Sequence, residues 1–259
     1  MHPIAFQIGS FSIHWYGILV GLGCLVGLWT ASRRSLREGF PPEKVYDMGL
    51  WLMLGVIVGA RAFFIVTHWE SDFSGHSWFS WFNLRQGGLV FYGGFIGAVI
   101  ATLLYCRIQR APLWRLADVL APSIALGSVL GRFGCLMTGC CYGSVCTLPW
   151  GIRFPYGHMT HGTTVHPTQV YDALLNLLVY GFLEWLFRRK KFDGQVFAAW
   201  LLVYPIARSI AEVFRGDYPA LYLGNHLTPA HLVSMVIFTI GVVLYRLLPR
   251  RLGKPTPAG

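Results

Sequence analysis

The fourth long apolar run of the chain ends in the sequence Gly131-Arg132-Phe133-Gly134-Cys135-Leu136-Met137-Thr138-Gly139-Cys140-Cys141-Tyr142-Gly143, which also opens the most polar loop. Glycines at this density allow close backbone approach or positive φ, so they favour a packed or ligand-facing turn. An arginine at the edge of an apolar run is costly to place. The stretch therefore indicates a functional turn at one end of a helix.

The composition around this stretch is that of a membrane protein. Of 259 residues, 54% are hydrophobic and only 12% are charged, whereas a soluble domain carries about 25% charged residues. Several apolar runs are about twenty residues long, the length that crosses a bilayer core. We predict an all-α polytopic membrane protein.

We predict about seven transmembrane helices within a single transmembrane domain, residues 1–251. The spans are 11–30, 46–67, 89–108, 117–137, 168–187, 195–214 and 229–248. An aromatic segment at 70–88 fits the interfacial zone. A loop insert occupies 138–167, between helices four and five, and a disordered tail is expected at 252–259.

The basic residues predict the orientation. Most of the 21 lysines and arginines lie in alternate short loops between the apolar runs. This is the positive-inside pattern, so the net charge of +10 does not indicate a nucleic-acid partner. We expect the N-terminus outside, the C-terminus in the cytoplasm and the 138–167 loop in the periplasm.

Unusual polar residues all fall in the outer half of the predicted membrane region. Ionisable residues at such depths are candidates for a functional cavity. They are His14, Tyr16, Arg61, Tyr92, Arg132, His166, Gln169, Asp172 and Arg208.

The sixth span carries a polar stripe. Tyr204, Arg208, Glu212 and Arg215 are spaced four, four and three residues apart, so they share one helix face. One interpretation is an Arg208–Glu212 pair that neutralises itself. The other is a cationic face that binds a phosphate, with Glu212 orienting the guanidinium.

Three arginines near one depth suggest an excess of positive charge. Glu212 cannot neutralise Arg61, Arg132 and Arg208, and Asp172 is the one other acid expected nearby. A phospholipid phosphate would balance the excess. For Arg61 alone, snorkelling to the interface is an equal alternative.

Paired glycines flank Tyr92 at the start of the third span. Gly93 and Gly97 form a small-xxx-small pair that helix packing explains. The doublets Gly87-Gly88 and Gly93-Gly94 further suggest backbone left open to a substrate.

The cysteines near the loop have the pattern Cys-x4-Cys-Cys-x4-Cys, from Cys135 to Cys146. This is not a regular zinc spacing. A disulfide from Cys140 or Cys141 to Cys146 is one interpretation, unpaired packing is a second, and a metal or catalytic role is a third.

Five motifs occur in an order that resembles the phosphatidylglycerol–prolipoprotein diacylglyceryl transferases. They are His14-Trp15-Tyr16-Gly17, the Gly-Gly-x-x-Phe-x-Gly-Gly run at 87–94, Gly-Arg-x-Gly at 131–134, His-Pro-Thr-Gln-x-Tyr at 166–171, and Arg-x3-Glu-x2-Arg at 208–215. The resemblance covers nearly the whole chain.

The resemblance implies a reaction on the outer, periplasmic leaflet of the bacterial inner membrane. A diacylglyceryl group would move from phosphatidylglycerol to the lipobox cysteine of a preprolipoprotein signal peptide, with release of glycerol 1-phosphate. This displacement at an sp3 carbon needs no metal or organic cofactor, and arginines would stabilise the leaving phosphate.

The resemblance, together with the pattern of polar and glycine residues, gives each site residue an expected role. Arg132 and Arg208 are catalytic and bind the phospholipid, Glu212 positions Arg208, and Tyr92 and His166 are candidate bases. Other residues are expected to contact phospholipid: Arg61, Tyr16, His14, Gly93, Gly94, Tyr204 and Arg215.

The sequence departs from the family pattern in two places. Tyr92 replaces the family's histidine base, and Cys135, Thr138 and Cys140 replace two asparagines and a glutamate. The base is therefore open among Tyr92 with a pKa lowered by nearby cations, His166, and direct formation of the thiolate near the arginines.

Two other functions fit the same residues. One is a divergent enzyme of this fold that uses its own cysteines to act on another thiol or lipid acceptor. The other is a non-catalytic phospholipid-binding membrane protein, although no internal repeat of the kind common in transporters is visible.

Overall fold

The computed structural model describes residues 3–9, 11–74, 78–82, 87–217 and 227–252. Within these ranges the chain is mainly helical. The elements are β1 (Ile4–Ile8), β2 (Phe11–His14), α1 (Trp15–Ser35), α2 (Pro42–Thr67), α3 (Phe91–Ile108), α4 (Leu113–Thr138), β3 (Ile152–Arg153), β4 (Thr164–Val165), α5 (Thr168–Phe187), α6 (Gln195–Val213) and α7 (Pro229–Leu252).

The prediction of a helical polytopic membrane protein is confirmed. Six helices in the described part of the chain are long and apolar enough to cross a membrane, and a seventh apolar helix, Tyr92–Ile108, is shorter. Each falls on one of the predicted spans, although α2 and α4 begin four residues earlier than predicted.

The predicted start of the first span was wrong. Residues 11–14 form strand β2, which pairs antiparallel with β1, and α1 begins only at Trp15. The hairpin satisfies the backbone groups of both segments, and Gly9 supplies the positive φ of 60° that its turn requires. At the other end, α1 continues to Ser35, so Arg33 and Arg34 lie in its last turn rather than in a loop.

The chain divides into two compact units, Ser35–Leu116 and the remainder, Met1–Arg34 with Ala117–Gly259. In the Ser35–Leu116 unit, glycines allow α2 and α3 to pack backbone against backbone. A Cβ on Gly55 would lie 2.6 Å from both the Ala101 Cβ and the Gly97 carbonyl oxygen. Gly59 and Gly93 meet one turn further along the same two helices.

We expect Gly55→Ala to destabilise the protein. The added methyl would force α2 and α3 apart, and overpacking of this kind costs about 1–3 kcal/mol. Gly21→Ala is the matched control, because a Cβ on Gly21 in α1 meets nothing within 4 Å. Thermal unfolding in detergent should give a lower midpoint for the Gly55 variant, and equal midpoints for both variants would contradict the packing argument.

In the other unit, polar contacts join α1, α4 and α5 at the end of α5 that lies away from Asp172. Arg34 is buried; its Nη1 donates to Glu184 Oε2 at 2.8 Å and its Nε to the Val119 carbonyl oxygen at 3.2 Å. Asp118 is also buried and accepts from Lys190 Nζ at 3.1 Å. Two of the expected cytoplasmic cations therefore pair with carboxylates, of which Asp118 is buried and Glu184 is partly exposed.

The loop after α4 is folded onto the end of α6. Gly139, at a φ of 81°, ends the helix. Gly143 donates its N–H to His166 O at 3.0 Å, and Ser144 donates to Phe214 O at 2.9 Å. Strands β3 and β4 pair further along this loop, so the predicted 138–167 insert contains regular structure.

Two other predicted segments are only partly described. The 70–88 segment contains one π-helical turn, Trp69–Phe73, and one 3-10 helix, Trp78–Phe82, while residues 75–77 and 83–86 lie outside the described residues. Of the predicted tail at 252–259, Leu252 ends α7 and the rest lies outside the described residues.

Candidate functional site

Asp172 is the centre of a charged cluster formed by α4, α5 and α6. Arg132 Nε lies 2.9 Å from Asp172 Oδ2, and Arg208 Nη1 lies 3.9 Å from the same oxygen. Asp172 is only 4% exposed. One buried carboxylate thus holds the two arginines that the sequence identified as the main candidates.

A neighbour on α5 orients this carboxylate. Asn176 lies one turn after Asp172, and its Nδ2 donates to Asp172 Oδ1 at 2.7 Å. Because Oδ1 of Asp172 accepts this hydrogen bond from Asn176, Oδ2 of Asp172 remains available to the arginines. Asn176 was not predicted, although the i, i+4 spacing of two polar residues in an apolar helix was a readable signal.

Tyr204, Arg208 and Glu212 of the predicted stripe lie on α6 at helical spacing, but α6 ends at Val213, so Arg215 lies beyond the helix in a bridge with Gly143. Arg208 Nη2 lies 2.5 Å from Glu212 Oε2, and Arg215 Nη1 lies 3.7 Å from the same oxygen. Thr228, at the entrance to α7, donates its hydroxyl to Glu212 Oε1 at 2.8 Å. Glu212 is therefore held from both sides, which suits a group that positions Arg208.

One atom of Arg208 lacks a hydrogen-bond acceptor. Its Nη1 is buried, and no acceptor is found for it among the described residues, since the 3.9 Å approach to Asp172 is too long for a hydrogen bond. Glu212 Oε2 is similarly without a well-aligned donor despite its ion pair. A buried charged donor without an acceptor is costly, so Arg208 is prepared for an acidic ligand.

The arginines of this cluster are balanced by carboxylates, whereas the excess expected from the sequence also counted Arg61, which lies in the Ser35–Leu116 unit. Arg215 forms a bidentate pair with Asp217, at 2.9 and 2.8 Å, in addition to its contact with Glu212. With Asp172 and Glu212, three carboxylates therefore match three arginines here. The unassigned hydrogen-bonding capacity of Arg208, rather than an excess of charge, indicates an anion site.

Two tyrosines border the cluster. Tyr16, in the first turn of α1, packs on Gly134, whose added Cβ would lie 3.1 Å from the tyrosine ring. It is also close enough to Arg132 for a charge interaction. Tyr204 precedes Arg208 by one turn and interacts with Asp172. Both were predicted site residues, and the structure brings both to the arginines.

The two predicted histidines lie outside the arginine cluster. His14 is exposed at the end of β2, opposite Ile4. His166 packs against Phe214 at 5.4 Å, and its Nδ1 lies 3.3 Å from the Tyr171 hydroxyl. No contact among the described residues joins either imidazole to Arg132 or Arg208.

The remaining predicted residues belong to the Ser35–Leu116 unit. Arg61 is buried and donates to the carbonyl oxygens of Trp81 at 2.8 Å and Gly87 at 3.0 Å. Gly93 and Gly94 are buried against α2 rather than left open. Tyr92, at the start of α3, is 60% exposed. The ligand-binding roles of these residues stay predictions.

Three thiols meet beside Arg132. The Sγ atoms of Cys135, Cys140 and Cys141 all lie within 4.8 Å of one another, and Cys146 is outside this group. All three cysteines are unbridged, as is Cys146. Hydrogen bonds from the thiols of Cys135 and Cys141 lower the pKa of the Cys140 thiol. The disulfide to Cys146 expected from the sequence is not formed in the structure.

Comparison with known proteins identifies the relatives of this chain. A family model described as prolipoprotein diacylglyceryl transferase matches residues 3–247. A phosphatidylglycerol–prolipoprotein diacylglyceryl transferase of Finegoldia magna is 35% identical over 94% of this chain and 94% of its own length. Enzymes of the same name from Geobacillus kaustophilus and Shouchella clausii are 34% and 33% identical, each over 92% of this chain and over 89% and 87% of their own lengths.

The match covers the helices that carry the arginine cluster as well as the thiol-containing loop. It agrees with the resemblance noted in the sequence motifs. The chain belongs to the prolipoprotein diacylglyceryl transferase family.

Proposed function

We propose that this chain transfers the diacylglyceryl group of phosphatidylglycerol to the lipobox cysteine thiol of preprolipoproteins and releases glycerol 1-phosphate. Family membership supports the reaction. The bond that forms joins sulfur to the glycerol carbon, and the bond that breaks joins this carbon to the phosphate oxygen. The chief catalytic need is therefore stabilisation of charge on the departing phosphate.

The observation that carries this proposal is the buried Nη1 of Arg208, which has no acceptor among the described residues. A phosphate oxygen would supply that acceptor. The Arg132 side chain is 21% exposed, so it can reach the same anion while it keeps its pair with Asp172. Glu212 holds Arg208 in place, and Tyr16 and Tyr204 border the phosphate position.

The thiol proton has two candidate acceptors among the side chains. His166 uses Nδ1 towards Tyr171, which leaves its Nε2 for proton transfer. Tyr92 takes the position of the family's histidine. We keep His14 and Arg215 as proposed phospholipid contacts, and Arg61 as a separate proposed contact within the Ser35–Leu116 unit.

The arrangement in the membrane follows from the distribution of basic residues. We propose that the N-terminus and the 138–167 loop face the periplasm, that the C-terminus is cytoplasmic, and that the enzyme resides in the bacterial inner membrane. The arginine cluster lies at the loop end of α4, α5 and α6, so both lipid and signal peptide would reach it in the outer leaflet.

Complementation tests the proposal. A bacterium depleted of its resident transferase accumulates unmodified lipoprotein precursors, and expression of this chain should restore their lipid modification. A reporter lipoprotein with its lipobox cysteine changed to serine is the control and should stay unmodified. Continued accumulation of precursors despite membrane expression of the chain would refute the proposed function.

A further inference from the structure

The three thiols of Cys135, Cys140 and Cys141 come together because α4 ends in a tight reversal. Cys135 lies in the last turn of the helix, and Gly139 turns the chain back at a φ of 81°. The Cys140 N–H then donates to the Cys135 carbonyl oxygen at 3.2 Å. As a result, all three sulfurs lie within 4.8 Å of one another.

Residues of α5 hold this reversal in place. Thr168 Oγ1 donates to the Cys141 carbonyl oxygen at 2.6 Å, and Gln169 Nε2 donates to the Cys140 carbonyl oxygen at 2.7 Å. Cys141 has a φ of 61°, in the left-handed region that residues other than glycine rarely adopt. These hydrogen bonds fix the backbone of both cysteines. Surrounding hydrogen bonds of this kind help to orient the ligands of a metal site.

The sulfur spacing suits a metal ion better than a bond between neighbouring cysteines. A tetrahedral zinc ion lies about 2.3 Å from each thiolate sulfur, so its sulfur ligands are roughly 3.8 Å apart. Each Sγ–Sγ distance in the cluster therefore needs to shorten by about 1 Å or less to bind zinc. Consecutive Cα atoms are about 3.8 Å apart, below the usual disulfide range of about 4.4–6.8 Å. Cys140 and Cys141 are therefore poorly placed to bridge each other.

The cluster is accessible and lies near a positive charge. Cys140 is exposed, and Cys135 and Cys141 are only partly buried. Three protein ligands leave the fourth zinc position for a substrate. Three thiolates and Zn²⁺ carry one net negative charge, and Arg132 is close enough to Cys135 and Cys141 to stabilise it.

We infer that Cys135, Cys140 and Cys141 bind one zinc ion, whose fourth position takes the thiol of the incoming cysteine substrate. The inference rests on the proposed function, because it supplies the nucleophile for that reaction. The substrate thiol releases its proton to water when it coordinates, since a metal-bound thiol is deprotonated. Its sulfur then bonds to the glycerol carbon, and the electron pair of the broken carbon–oxygen bond leaves with the phosphate. No oxidant or reductant is needed.

This inference changes the expectation drawn from the sequence, in which no metal was required. Zinc would form the thiolate without a side-chain base.

Cobalt substitution tests the site without reference to catalysis. The detergent-purified full chain, reduced with a phosphine, is titrated with Co²⁺, and sulfur-to-cobalt charge-transfer absorption is expected with one ion bound per chain. Cys140→Ser should weaken binding at least tenfold. Cys146→Ser, a thiol of the same loop outside the cluster, should bind as the wild type does. Absence of the charge-transfer band, or equal loss in the two variants, would overturn the metal site.

The substrate step is tested on the Co²⁺ form. A lipobox peptide with its cysteine should alter the cobalt d–d spectrum, and the same peptide with serine should not. Equal spectra with both peptides would overturn the thiol-binding inference. A chain that gives both cobalt signals but fails to restore lipoprotein modification would count against the proposed function and not against the metal site. The mass and the zinc content of the freshly isolated protein give a further check. A mass 2 Da below that of the reduced chain, assigned to Cys135 and Cys140 and found without zinc, would identify a disulfide and overturn the inference.

Discussion

Replacement of Arg208 by alanine is expected to lower the rate of diacylglyceryl transfer by about 10²–10³-fold, or roughly 3–4 kcal/mol of transition-state stabilisation. The guanidinium lies 2.5 Å from Glu212, and its buried Nη1 has no acceptor among the described residues. Its removal deletes the donor proposed for the departing phosphate. Transfer of labelled diacylglyceryl from phosphatidylglycerol to a lipobox peptide measures the effect.

Two further variants test whether the loss of transfer is specific to the guanidinium of Arg208. Arg208→Lys keeps the charge but not the planar fork, so it should recover only part of the lost rate. Arg188→Ala removes an arginine that is 63% exposed at the opposite end of α5, and its rate should match the wild type. Full activity of Arg208→Ala in membranes that contain normal amounts of the protein would remove the phosphate argument.

Asp172→Asn is expected to affect both stability and transfer. This buried carboxylate lies 2.9 Å from Arg132 and 3.9 Å from Arg208, so its neutralisation leaves two arginines without their shared partner. Loss of one partner from a buried pair costs roughly 3–5 kcal/mol, and the partial exposure of Arg132 places this case near 3 kcal/mol. Transfer should fall at least tenfold, because Arg132 and Arg208 lose their common position.

Asp118→Asn is the matched control for this prediction. Asp118 is equally buried and accepts hydrogen bonds from Lys190 and from the backbone N–H groups of Gly194 and Phe197, but it lies at the opposite end of the bundle. Its loss should lower the thermal midpoint and leave the transfer rate normal at a permissive temperature. If the two variants lose activity in proportion to their lost stability, Asp172 has no role beyond holding the fold together.

The apolar spans were predictable because the length of an apolar run is a local property. Each of the seven predicted spans corresponds to a helix in the structure. The start of the first span was missed because residues 11–14 are apolar enough to continue a helix. Their strand conformation depends on pairing with residues 4–8, a contact that composition does not reveal.

The candidate site was also predictable only where it depends on local sequence. The spacing of Tyr204, Arg208 and Glu212 follows from the period of a helix, so their common face was readable, whereas Arg215 lies beyond the end of α6. Asp172 was expected near the arginines, but its specific pairing with Arg132 and Arg208 was not readable, because these partners lie 40 and 36 positions away along the chain. Asp217 was likewise overlooked as the partner of Arg215.

By itself, the sequence determined that this chain is a helical membrane protein that resembles the diacylglyceryl transferases, and it singled out Arg132, Arg208 and Glu212 as candidate site residues. These conclusions depend on hydrophobicity, helical period and short motifs, all of which act over a few residues. Only the tertiary structure decided which carboxylate holds which arginine, that one nitrogen of Arg208 lacks an acceptor, and that three thiols meet at the end of α4. The physical reason is that ion pairs and metal-ligand geometry depend on the separation of atoms in space, which the packing of α4, α5 and α6 sets.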